Sequence, residues 1–164
     1  MFGFFDTVTW AMVRDLVIAA FLGGVIGLER TTAARPAGLR TYMLVSVGSC
    51  LFTLLSIYGF PLEGPARDTA RVAAQIVTGV GFLGAGAIWR AQDTMKGLTT
   101  AAGLWVAAGI GMAAGAGFGL LALVATVLVL LILTVLHRLE AIYIEKVRKP
   151  ATPPPPPGAT NPPS

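Results

Sequence analysis

Residues 98–136 read LTTAAGLWVAAGIGMAAGAGFGLLALVATVLVLLILTVL, a single apolar run. As one helix rising ~1.5 Å per residue, it would be roughly twice as long as a ~30 Å hydrocarbon core is thick. Two helices must therefore share it. The break is expected at Gly115-Ala116-Gly117, because glycine tolerates tight turns and supports helices poorly. The stretch reads as a membrane hairpin of spans 98–112 and 118–136, the first of them short unless it runs on to Gly115.

Working back toward the N-terminus, three more apolar segments approach the ~20 residues needed to cross a bilayer: 10–28, 41–58 and 72–89. Of the 164 residues 55% are hydrophobic and 12% charged, with a mean hydropathy of +0.75. Soluble domains carry about 25% charged residues, so this chain has too few ionisable groups to solvate a globular surface. The expectation is an all-α, polytopic transmembrane helical bundle of about five spans, with the lipid bilayer as its principal partner. The first segment has no preceding Lys or Arg and no small-residue cleavage site, so it is expected to remain as a span. The bases are scattered between apolar runs, which does not suggest nucleic acid.

Lysine and arginine set the orientation. With the N-terminus outside, the inner segments hold Arg30, Arg35, Arg40, Arg90, Lys96, Arg138, Lys146, Arg148 and Lys149, and the outer side holds Arg14, Arg67 and Arg71. That asymmetry follows the positive-inside rule. Trp10 and Tyr58 then fall near the outer interface and Trp89 near the inner one, where aromatic anchors are favoured. Two regions are expected: a transmembrane domain over 1–138, and a basic then proline-rich cytoplasmic tail over 139–164. The tail's five consecutive prolines, 153–157, cannot build a packed core and predict an extended, disordered segment.

Gly79-Val80-Gly81-Phe82-Leu83-Gly84 matches the dinucleotide-binding pattern letter for letter. That pattern needs a preceding strand and a βαβ unit; inside a membrane span it reads instead as helix packing. Gly23 and Gly27, four residues apart, and the series Gly103, Ala107, Gly111, Gly115 carry the same meaning, since small residues let backbones approach closely in lipid.

Polar residues follow helical periods. Tyr42, Ser46, Ser49, Thr53 and Ser56 fall at steps of four, three, four and three, on one face of the second span. Arg71, Gln75 and Thr78 do the same on the third, and the two faces are expected to meet, either as interhelical glue or as a polar pathway. At the inner end, Glu29 sits at a helix C-terminus and Arg40 at an N-terminus. Both placements oppose the helix dipole, which points to a direct Glu29–Arg40 pair, closed by Thr99 and Thr100, with Arg90 entering at the same depth and solvated loop charges as the alternative. Arg71 belongs to the opposite membrane face. His137 and Cys50 are the only histidine and cysteine. No catalytic, metal-binding or cofactor-binding set can be assembled from these residues. Cys50 reads as a small buried apolar residue.

Four ordered segments carry a family resemblance: residues 23–30 (GGVIGLER), 35–41 (RPAGLRT), 71–88 (RVAAQ through GAI) and 97–102 (GLTTAA). Over about residues 15–135 the chain closely resembles the MgtC/SapB family of bacterial membrane proteins. The resemblance implies a multi-pass protein of the inner membrane, linked to growth under magnesium limitation and, in pathogens, to survival inside host cells. It implies a regulator more than a demonstrated transporter. Longer members have a cytoplasmic C-terminal domain whose place here is taken by the basic stretch and proline tail. The leading expectation is thus a non-enzymatic regulator acting through contacts with a second copy or another membrane protein. The alternative is an ion or small-solute transporter using the polar faces of spans two and three.

Overall fold

The computed structural model describes residues 2–59, 68, 70–91, 94–136, 139 and 143, with side chains from residue 9 onward. Arg67, His137, Arg138, Lys146, Arg148, Lys149 and the proline tail lie outside the described residues. The chain divides into two compact units, Met1–Leu131 and Ile132–Ser164.

The elements of the first unit are α1 (Phe2–Thr32), α2 (Leu39–Tyr58), α3 (Ala70–Gly86), an antiparallel hairpin of β1 (Trp89–Ala91) and β2 (Thr94–Lys96), α4 (Leu98–Gly115) and α5 (Gly119–Leu131). The second unit opens with a π-helical turn, Ile132–Leu136. Four segments are long and apolar enough to cross a membrane: Thr9–Thr32, Leu39–Tyr58, Leu98–Gly115 and Gly119–Leu136. The fifth, α3, has 17 residues and covers only ~26 Å.

Two boundaries differ from the sequence reading. The first helix begins near Phe2 rather than Trp10. The third stops at Gly86, so Trp89 belongs to a strand, with register Trp89↔Lys96, Arg90↔Met95 and Ala91↔Thr94. Gly97 explains the tight connection. Its φ is +91°, and a Cβ there would run into the carbonyl oxygen of Ala87 just beyond α3. Only glycine meets both demands.

The 98–136 run breaks where expected, with the fourth helix extending to Gly115. Gly117 has φ +83°, and the closing bonds are Gly117 N–H to Ala114 O at 3.0 Å and Phe118 N–H to Ala113 O at 2.8 Å. This pair satisfies two carbonyls that the helix end would otherwise leave open. The turn between α1 and α2 is closed by Thr31, whose hydroxyl accepts from the Leu39 amide at 2.8 Å and donates to the Gly27 carbonyl at 2.9 Å.

Packing centres on α2, which is held most extensively by α1 and α4. A Cβ added at Gly23 would sit 2.7 Å from Ser46 Cβ, and one at Gly27 would sit 2.7 Å from Leu39 Cα. From the other side, Gly103 faces the Tyr42 hydroxyl, Gly111 faces the Ser46 carbonyl, and a Cβ at Gly115 would lie 2.6 Å from the Cys50 carbonyl oxygen. Each turn of α2 from Tyr42 to Cys50 is thus met by a glycine. The helix α3 is attached more lightly, through Ile76 and Val80 against Ala108 of α4, with Val45 and Met112 beside them.

This geometry separates two glycines on one helix. Gly111 has the α2 backbone where a side chain would go, whereas Gly109 has open space. Gly111→Leu should destabilise the bundle by at least ~1–3 kcal/mol. Gly109→Leu should leave it folded, as thermal unfolding and size-exclusion profiles in mild detergent will show.

Candidate functional site: the polar interior of α1, α2 and α4

The buried face of α1 runs through Asp15, Ala19, Leu22, Gly23, Ile26, Gly27 and Arg30. It carries an acid at one end and a base at the other, with apolar or small residues between. Fifteen residues separate the two along a helix, which places them ~22 Å apart.

Arg30 is only 3% exposed. It pairs with its neighbour Glu29 in a fork: Nη2 donates to Oε1 at 2.6 Å, and Nε donates to Oε2. The expected Glu29–Arg40 pair is therefore replaced by Glu29–Arg30. The reason is register. Tyr42 faces into the bundle, fully buried, and Arg40, two residues earlier, lies ~200° round the helix from it. Arg40 is exposed, with no ion pair among the described residues. Arg30 was not singled out from sequence, although Gly23, Gly27 and Arg30 follow one another at steps of four and three.

Thr99 and Thr100 separate in the same way. Thr99 is exposed and Thr100 buried, and the Thr100 carbonyl accepts a long hydrogen bond of 3.4 Å from the Tyr42 hydroxyl. Of the proposed inner cluster, the bundle thus brings Glu29 and Thr100 toward Tyr42 and turns Arg40 and Thr99 outward.

The five hydroxyl residues of the α2 stripe, Tyr42, Ser46, Ser49, Thr53 and Ser56, are all buried, while Thr41 and Tyr58, off that face, are exposed. Their face meets α1 and α4 rather than α3. Thr53 returns its hydroxyl to the Ser49 carbonyl at 2.8 Å. The Ser46 hydroxyl, fully buried between Gly23 and Gly111, has no hydrogen-bond partner among the described residues. The expected meeting of the α2 and α3 polar faces is confined to Ser49 and Gln75, which line one groove between the helices. Arg71, Gln75 and Thr78 are exposed. Gly79, expected to pack, has nothing within 4 Å of its Cβ position.

Asp15 is the second residue that sequence reading passed over. It is 7% exposed, and Arg14 grips its Oδ1 with Nε at 3.0 Å and Nη2 at 2.9 Å. The adjacent opposite charge reads as a surface pair in one dimension, and only the packed face reveals that the acid turns inward. Among the described residues no group of three or more His, Cys, Asp or Glu side chains could hold a metal ion.

A bundle of apolar spans, closed on glycines and carrying ionisable residues at both ends of a buried face, is a polytopic membrane protein. The chain belongs to the MgtC family, which it matches over residues 16–142. It is 47% identical over 135 residues to YhiD of Escherichia coli (strain K12), whose name proposes it as a magnesium transporter, covering 80% of this chain and 63% of that protein. It is 43% identical over 103 residues to Protein SapB of Bacillus subtilis (strain 168), covering 57% of this chain and 44% of the relative. With Protein MgtC of Salmonella typhimurium (strain LT2) it shares 47% over 90 residues, 55% of this chain and 37% of the relative. The chain spans less than two thirds of the length of each of these curated relatives. No solved structure gives a significant match.

Three substitutions separate the roles of the charged and hydroxyl groups. Arg30→Ala removes a buried base and leaves Glu29 unpaired, so it should cost ~1–3 kcal/mol, while Arg40→Ala should stay within ~0.5 kcal/mol of the parent. Ser46→Ala removes a hydroxyl that makes no bond, and it should be neutral or stabilising by up to ~1 kcal/mol. Denaturant or thermal unfolding in micelles measures all three.

Proposed function

We propose that this chain is a non-enzymatic regulator in the bacterial inner membrane, with its N-terminus outside, acting through helix contacts with a second copy or another membrane protein. Its physiological setting, by family resemblance, is growth under magnesium limitation and survival inside host cells. The observation that carries this reading is the closure of the α1–α2–α4 interior. Where Gly111 meets the Ser46 carbonyl and Gly23 meets the Ser46 side chain and the Tyr42 carbonyl, the helices touch closely, an arrangement that leaves little room between them for a hydrated solute. A protein built this way transmits changes in packing more readily than it conducts.

A second reading, ion or small-solute transport, draws support from Asp15 and the unbonded Ser46 hydroxyl, because polar groups within membrane spans commonly mark pathways. The name carried by YhiD points the same way.

Glu29→Ala should abolish complementation of a deletion strain on low-magnesium medium while the protein still inserts, since insertion is driven by the apolar spans. Purified protein in proteoliposomes should show no flux of magnesium above empty vesicles. Flux that Asp15→Asn removes would transfer the conclusion to the transport reading.

A further inference from the structure

The face of α3 that the bundle leaves uncovered is unlike a lipid-facing surface, and α5 supplies the comparison. The outward side chains of α5 are aliphatic: Leu120, Leu121, Val124, Val127, Leu128 and Leu131. On α3 the exposed stripe is Arg71, Gln75, Thr78, Phe82 and Gly86, at steps of four, three, four and four, one face of a helix. Only Ile76, Val80 and Gly84 of its 17 residues are buried.

Each polar member of the stripe has a different fate. Thr78 returns its hydroxyl to the Ala74 carbonyl at 3.2 Å. Arg71, one residue into the helix, is exposed, and a side chain of that length at a helix end can extend to the headgroups. Gln75 starts a turn deeper, and its amide has no partner among the described residues. An unpaired amide against hydrocarbon is unfavourable, and transmembrane helices ordinarily satisfy such groups by pairing across an interface.

Beside the stripe runs a groove of ≈ 490 Å³ between α2 and α3, walled by Gly48, Phe52, Ile76 and Gly79, with Gln75 at its lip. A Cβ at Gly48 or Gly79 would meet nothing within 4 Å. The adjoining Phe82 is 80% exposed, one turn from Gly79 and at the depth of the groove's Leu83 wall. One subunit therefore presents a projecting aromatic ring and an open, glycine-walled groove at the same depth. The groove is itself lined by the Gln75 amide, which both donates and accepts. A surface bearing both halves of a contact is matched by its own copy across a two-fold axis.

We infer that α3 is the interface through which two copies of this chain associate in the membrane, with Gln75 paired to Gln75 of the second copy and Phe82 seated in the second copy's α2–α3 groove. This rests on the reading that the protein works through helix contacts, and it names the partner and the surface. Both contacts are reciprocal, so one dimer satisfies both amides and fills both grooves.

Full-length Gln75→Cys in native membranes, oxidised with copper(II)–phenanthroline, should yield a disulfide-linked species of twice the chain mass. Leu128→Cys on α5 should yield none. Gly79→Leu has room within its own subunit and should fold with parental helicity. Association, read by energy transfer between labelled copies in lipid vesicles, should nevertheless weaken roughly tenfold or more. Cross-linking of Gln75→Cys to a protein of different mass would overturn the inference, and so would unchanged association of Gly79→Leu or a monomeric parent. These measurements need no activity. A Gly79→Leu monomer that still complements growth on low magnesium would uphold the interface while removing the contact-based regulatory reading.

Discussion

The approach of the α4 backbone to the α2 backbone is the constraint on which the rest of the bundle depends. In lipid there is no hydrophobic force between helices, and association comes from dispersion contacts and hydrogen bonds at short range. Glycine at 103, 111 and 115 removes the side chains that would otherwise hold the two backbones apart. From the opposite side Gly23 and Gly27 do the same for α1. With α2 clasped on two sides, its hydroxyl face has nowhere to go except inward, and α3 is left to pack over α4 with only three buried residues. The polar interior and the uncovered outer face are two results of one packing decision.

That decision also sets the electrostatics. Because Gly27 brings α1 against Leu39 and Tyr42, the next buried position on the same α1 face is Arg30, which is drawn out of solvent. A guanidinium in that position needs an anion, and the adjacent Glu29 supplies it in a two-point geometry. At the other end of the same face Asp15 meets the equivalent need through Arg14. Both pairs join sequence neighbours, so each buried charge is balanced within α1 itself, and neither depends on the arrival of another helix. The helix can therefore enter the membrane with its charges already compensated, while the contacts that assemble the bundle remain the glycine contacts.

The interior and the α3 face differ in what they ask of the surroundings. Inside, among the described residues, the fully buried Ser46 hydroxyl is left without a partner, and the backbones around it are in contact. Outside, an amide, an aromatic ring and open glycines share one stripe. The interior is thus nearly self-sufficient, whereas Gln75 on α3 keeps an amide without a partner among the described residues.

Much of the architecture was legible in the amino-acid order. The run of residues 98–136 had to fold back, because no membrane helix can be twice the bilayer thickness, and it did so at Gly117. The small-residue spacing marked the closely packed faces of α1 and α4, and the hydroxyl period marked the buried face of α2, since a regular helix carries its angular pattern openly in sequence. Which face meets which helix was not written there. Periodicity fixes angles within one helix but says nothing of the angle between two, so Arg40 and Arg30 exchanged roles as Glu29's partner. The polar face of α2 met α1 and α4 rather than α3. The hairpin between α3 and α4, and the burial of Asp15 beside an exposed arginine, likewise arise only when separate helices are brought together. The sequence by itself determined the spans, the break and the faces; the tertiary structure decided the pairings, because in lipid these are chosen by short-range fit between surfaces that only the assembled bundle brings into contact.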